Sequence, residues 1–212
     1  MEFIKADGLV AYQDAHDFME QRVADIRNDE ADEALWLLEH PALYTAGTSA
    51  QDDDLLDARF PVFKTGRGGQ YTYHGPGQRI GYVMLDLKRR QSVPDIKKYI
   101  CDLEEWIIRT IAQWGIIGER REGRVGIWVD LKPYGRSGEA KIAAIGVRIR
   151  RWVTFHGISL NLNPVLENFE GIVPCGLAGY GVTSFADLGV GYDEGAVDAA
   201  LHKNFAAVFG DT

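Results

Sequence analysis

Apolar positions recur with a helical period in three stretches of the chain. From Tyr12 to Ile26 they fall at Tyr12, Ala15, Phe18, Met19, Val23 and Ile26, one stripe of an amphipathic helix. From Pro94 to Trp114 the stripe is Ile96, Ile100, Leu103, Ile107, Ile111 and Trp114, with Pro94 suited to a first turn and Gly115 to a stop. A third helix is predicted over Glu194 to Val208, with Val197, Leu201, Phe205 and Val208 inward.

Strand patterns fill the middle. "ALWLLEH" and "RIGYVMLDL" are apolar runs of buried-strand length. Ile145, Val147 and Ile149 alternate with Gly146, Arg148 and Arg150, the period of a half-buried strand. The alternation returns with Ile158, Leu160 and Leu162 inward against Ser159, Asn161 and Asn163. Gly-rich loops are expected at 65–77 and 171–181. Helices bracket strands without regular alternation, which predicts an α+β fold of a single domain.

Composition narrows the class without naming a chemistry. The 212 residues, 46% hydrophobic and 25% charged, suit one globular domain with a substantial core. No apolar run approaches the roughly 18 residues that cross a bilayer, and the first ten residues lack signal-peptide character. With two cysteines, a disulfide framework is not expected; a reducing cytoplasm is. No Cys/His spacing suggests zinc. A net charge of −8 argues against nucleic-acid binding, although "LKRRQ" at 87–91 and "RIRRW" at 148–152 are basic islands. Each is either a solvated face or a dock for an acidic protein.

Four places stand out chemically. "TGRGGQYTYHGPGQ" combines five glycines with Arg67 and His74, as a turn-rich hairpin or a substrate-lining loop would. No Gly-Lys-Ser/Thr follows, so it is no phosphate-binding P-loop. His156 lies in "TFHGISLNLN", either structural or beside a carbonyl-binding pocket. Lys141 opens the apolar run "KIAAIGVRIR", where partial desolvation would ready it for proton transfer. Cys101 reads as a small hydrophobe near the core, whereas Cys175 in "IVPCGLAGYG" sits on a glycine-lined bend, the setting of a reactive thiol.

Taken in order, "EHPALYTAGTSA" at 39–50, "RGGQYTYHGPGQ" at 67–78, "KIAAIGVRIRRWVTFHGISLNLN" at 141–163 and "FEGIVPCGLAGYGVTSF" at 169–185 resemble the lipoyl(octanoyl) transferase family. The N-terminal 30 residues, the segment near 50–60 and 91–124 fit it poorly. The resemblance implies the catalytic-domain fold shared with biotin and lipoate protein ligases. It implies octanoyl transfer from octanoyl-acyl carrier protein to a lysine on lipoyl domains of 2-oxoacid dehydrogenase complexes and on glycine cleavage H protein. No cofactor, metal, nucleic acid or membrane is implied.

In that scheme Cys175 carries the acyl group as a thioester and Lys141 lowers its pKa and shuttles protons. The positions implied to line the substrate are Arg67, Gly68, Gly69, Gln70, Tyr71, Thr72, Tyr73, His74, Ala144, Ile145, Gly146, His156, Gly157, Ile158 and Ser159. Tyr71, Tyr73, Ala143 and Ala144 are expected as walls of an apolar slot. Many relatives have serine where Ala144 stands, so a side-chain hydroxyl is not expected there. Three rivals keep parts of the pattern: an ATP-dependent lipoate or biotin ligase, a non-catalytic module binding acylated carrier protein, and a thioesterase.

Overall fold

Residues 1–173 and 181–210 are described by a computed structural model. Among them, strands β1 (Glu2–Leu9), β2 (Ala34–Glu39), β6 (Gln78–Met84), β9 (Val153–Asn161), β8 (Glu139–Arg150) and β10 (Gly181–Val182) are neighbours in that order in one sheet, and β7 (Ile127–Asp130) also pairs with β8. The sheet is mixed: β1–β2 and β8–β10 are parallel, the other pairings antiparallel. A second sheet runs β4 (Val62–Lys64), β3 (Leu43–Ala46), β5 (Tyr71–His74). This is the α+β class that the patterning predicts.

The period of two sorts each strand into two cores. Leu35, Leu37, Val83, Ile158 and Leu160 meet helices α3 (Ile96–Ile111) and α4 (Glu194–Phe209) on one face of the large sheet. Ala34, Trp36, Ile80, Tyr82 and Phe155 meet helix α1 (Tyr12–Arg27) on the other. The small sheet has a core of its own around Tyr44, Tyr71, Tyr73 and Phe169.

Helices α1 and α4 follow their apolar stripes, but α3 is turned from its expected face. Ile96 is 45% exposed, while Tyr99, Trp106 and Thr110 are buried with Leu103, Ile107 and Ile111. Trp106 decides the rotation, since its large ring is fully buried against Phe205 and its Nε1 donates to Leu201 O. The helix begins after Pro94, at Asp95, whose carboxylate accepts from the Lys97 and Lys98 amides as an N-cap. The same rotation leaves Cys101 exposed rather than near the core.

Two other expectations change. Residues 71–74, expected in a loop, form strand β5, and Gly77 makes the turn into β6 at φ 85°. Ser159 and Asn161 alternate as predicted, yet both are buried, because that face of β9 lies in an internal cleft.

A buried ion pair ties α4 to the sheet. Asp198 is 4% exposed; its Oδ1 lies 2.8 Å from Arg79 Nε on β6, and its Oδ2 lies 2.8 Å from Lys5 Nζ on β1. Removing the carboxylate takes away the close partner of buried Arg79 and leaves only Glu39 and Glu194, at 3.7 and 3.9 Å, so Asp198→Ala should cost about 3 kcal/mol of unfolding free energy in urea titration. A loss below about 1 kcal/mol would show that the pair does not anchor the helix.

Candidate active site

Two facing pairs of small residues make a trough in the large sheet. Ala144 stands opposite Ser159 and Gly146 opposite Gly157 on the antiparallel β8–β9 ladder, and directly opposed residues share a face. Larger side chains would fill this space. At Gly157 a Cβ would collide with Gly81 O. The small sheet and α1 roof the trough, giving a cleft lined also by Tyr12, Thr45, Tyr71, Thr72, Ile80 and Tyr82.

Most of the residues expected at a substrate site meet here. Arg67, Gly69, Gln70, Tyr71, Thr72, His74, Ala144, Ile145, Gly146, His156, Gly157, Ile158 and Ser159 all line the cleft. Three expected residues do not. Tyr73 turns to the core of the small sheet, where its hydroxyl accepts from Asn168 Nδ2 at 2.9 Å. Ala143 packs in the core beneath α3. Gly68 donates its amide to Val147 O at 2.8 Å, which fastens the glycine loop along β8.

Arg67 is buried and donates to Thr45 Oγ1 and to the carbonyls of Thr45, Gly68 and Gln70, so the guanidinium holds its own loop against β3. Lys141 lines a smaller space that shares Thr72, Ala144 and Ser159 with the cleft. It is 7% exposed, as its apolar surroundings predict. Its Nζ donates to Val125 O at 3.1 Å and stands 4.8 Å from the Trp128 ring, a cation–π contact. Cys175 lies outside the described residues.

Further buried polar groups complete the site, and of these sequence reasoning does not single out His40, Tyr82, Gln78 or Thr183. His40 Nδ1 is 2.7 Å from Val10 O, and a carbonyl only accepts, so Nδ1 carries the proton. His40 Nε2 therefore accepts from Tyr82 OH at 2.7 Å. A second chain starts from a backbone carbonyl. Asn161 Nδ2 donates to Thr183 O, Gln78 Nε2 donates to Asn161 Oδ1, and Gln78 Oε1 is left to accept from His74 Nδ1. Thr183 N donates to Lys141 O, so this chain also touches the lysine's strand. Nothing in the hydropathy pattern marks these residues, although His40 begins the "HPALYT" run and Gln78 ends "HGPGQ".

His156 has the unusual backbone of the site. Its φ is 61°, a left-handed conformation costing a β-carbon-bearing residue about 1–2 kcal/mol. That turn defeats the strand's alternation, and consecutive rings Phe155 and His156 stack at 5.2 Å on the side facing α1. Its Nε2 lies 3.3 Å from Tyr12 OH. Burial, reinforced by the Arg67 charge, pushes His156 down to about 3; burial pushes His40 down to about 4. Burial also holds His74 well below its usual value. The cleft is polar in places but carries no imidazolium at neutral pH.

Four arginines of the basic islands pair with carboxylates of the same chain. Arg148 and Arg150 both bind Glu20, Arg89 binds Asp29 and Asp86, and Arg90 binds Glu33 while donating to Phe209 O. Among the described residues no cluster of His, Cys, Asp or Glu could hold a metal ion, and no helix is long and apolar enough to cross a membrane.

Sheet, helices and cleft together define a protein of the lipoate and biotin protein ligase fold. Lipoate-protein ligase A bound with ATP superposes with a TM-score of 0.73 at 15% identity, covering 98% of this chain and 85% of that one. Biotin protein ligase from Aquifex aeolicus gives a TM-score of 0.53 at 10% identity over 98% and 68%. Within that fold, the chain belongs to the family of the lipoyl protein ligase A/B catalytic domain, which matches residues 11–206. It is 61% identical over 206 residues to an octanoyltransferase of Parvibaculum lavamentivorans, covering 97% of this chain and 91% of the relative. It is 59% identical to the octanoyltransferase of Paramagnetospirillum magneticum over 99% and 97%, and 57% identical to that of Brucella suis over 99% and 80%.

The buried histidines make stability depend on pH with a definite sign. Between pH 6.5 and about 4 the unfolded chain binds protons that folded His40 and His156 refuse. Unfolding free energy should therefore fall as pH drops through this window, by up to about 1.4 kcal/mol per pH unit for each histidine. Urea titrations should show the slope reduced by about one proton in His40→Asn. An unchanged slope would mean that His40 is protonated in the fold.

Proposed function

We propose that the chain is a single-domain acyltransferase, acting in the cytoplasm, that moves an octanoyl group from octanoyl-acyl carrier protein to a lysine ε-amine. The acceptors are lipoyl domains of 2-oxoacid dehydrogenase complexes and glycine cleavage H protein, at the first step of lipoate synthesis. The observation that carries this reading is the join between the apolar cleft and Lys141 through Thr72, Ala144 and Ser159. Identity near 60% to octanoyltransferases over nearly the whole chain supports it.

The reaction runs in two exchanges. The Cys175 thiolate attacks the carrier's thioester carbonyl, and the carrier's thiol leaves with a proton supplied by Lys141. The acceptor's amine then attacks the octanoyl thioester, loses a proton to Lys141, and releases the Cys175 thiolate as the amide forms. A thioester is already activated, so the sequence needs neither ATP nor another cofactor. The carbonyl of Val125 and the Trp128 face steady the lysine where an ammonium raises the thiolate fraction of a nearby cysteine. Six methylenes of the acyl chain, at ~0.8 kcal/mol each, supply binding along the trough.

Incubation with octanoyl-acyl carrier protein, read by intact mass, tests this. A hydroxylamine-labile octanoyl adduct should form in wild type and in Cys101→Ala and be absent in Cys175→Ala. Lys141→Ala should slow its formation by roughly 100-fold or more, the range for a lost proton-transfer group. An adduct that persists in Cys175→Ala, or transfer that requires ATP and free octanoate, would overturn the reading.

A further inference from the structure

The cleft has a near end and a far end. Thr72, Ala144 and Ser159 belong to both the cleft and the space beside Lys141, so the join marks where chemistry meets the slot. Tyr12, Tyr82 and His156 line only the cleft, and Tyr82 stands opposite Gly157, two residues along β9 from the join at Ser159. The ladder converts this into a length. Ser159 stands opposite Ala144 and His156 opposite Val147, three residues further along β8. At strand rise that separation is about 10 Å. A fully extended octanoyl chain, with seven C–C bonds each advancing about 1.25 Å, is about 9 Å long.

At the far end stands a hydrogen-bonded pair. Tyr12, in the first turn of α1, places its hydroxyl 3.3 Å from His156 Nε2, and both residues are almost wholly buried. Three further contacts hold the pair. The His156 amide donates to Met19 Sδ, the Tyr82 ring meets the imidazole edge-on at 5.9 Å, and the Tyr12 ring packs 5.0 Å from Phe63 on the small sheet. His156 reaches this position only through its left-handed backbone, a strain that ordinary strand packing would not require. An uncharged imidazole is also a tolerable neighbour for a methyl terminus, and burial keeps His156 in that state.

From this placement the geometry points to the Tyr12–His156 pair as the stop that measures the acyl chain, admitting eight carbons and turning away longer ones. The inference rests on the acyl-transfer reading above and adds to it the determinant of chain length. The phenol of Tyr12 occupies about the space of four methylenes, so its removal should open the slot from octanoyl toward dodecanoyl.

The test compares acylation by hexanoyl-, octanoyl-, decanoyl- and dodecanoyl-acyl carrier protein, scored as a ratio of rates within each variant. Tyr12→Ala should raise the dodecanoyl-to-octanoyl ratio at least tenfold. Tyr12→Phe keeps the bulk and should keep the wild-type ratio. Tyr12→Trp adds bulk and should shift preference toward hexanoyl, which leaves a test standing if Tyr12→Ala fails to fold. Ratios equal to wild type in folded Tyr12→Ala or Tyr12→Trp would overturn the inference while leaving acyl transfer intact. A wild type that accepts no acyl group from any carrier would overturn the transfer reading, and the stop with it.

Discussion

The antiparallel pairing of β8 with β9 is the constraint on which the rest of the site depends. Its register sets Ala144 against Ser159 and Gly146 against Gly157, so one face of the sheet has a hollow where side chains would otherwise interlock. A slip of one residue would bring Ile145 and Ile158 onto that face and fill it. Strand β8 carries Lys141 two residues before this ladder begins at Ala143, and His156 stands opposite Val147 further along it, giving the cleft a direction. The glycine loop at 66–69 is then pinned to this strand by the Gly68 amide and to β3 by Arg67.

Two of the chains of buried polar groups beside the apolar slot end on a backbone carbonyl, which makes their burial tolerable. Val10 O fixes the proton on His40, and Thr183 O orients Asn161, Gln78 and His74 in turn. His40 and His74 therefore stay neutral and directed without a buried counter-charge, whose desolvation would cost several kcal/mol. The cationic groups are also satisfied: Arg67 divides its donors between its own loop and Thr45 on β3, and Lys141 is held by a carbonyl and an indole face.

The hydropathy pattern reveals the frame of this protein better than its site. Helices α1 and α4 are legible because their stripes are clean, whereas in α3 Ile96 is apolar yet exposed, and Tyr99 and Trp106 outweigh it through ring size. Strand β5 is hidden by the glycines on either side of its four residues. Lys141 and the "RGGQ" loop stand out from local contrast alone. Tyr12 does not, since on α1 it reads as one more core aromatic. Its partner His156 is 144 residues away, and only the packing of α1 across β9 joins them. Likewise Ser159 and Asn161 look like a solvent face until the small sheet covers them.

The central claim is that Lys141 stands at the reacting end of the cleft as the group that activates Cys175. The pH profile of Cys175 alkylation by iodoacetamide, compared between wild type and Lys141→Gln by peptide mass mapping, addresses it directly. The account predicts a wild-type profile whose midpoint lies below the ordinary thiol value near 8.5 and which moves up toward that value when the ammonium is removed. Superimposable profiles for the two proteins would contradict it.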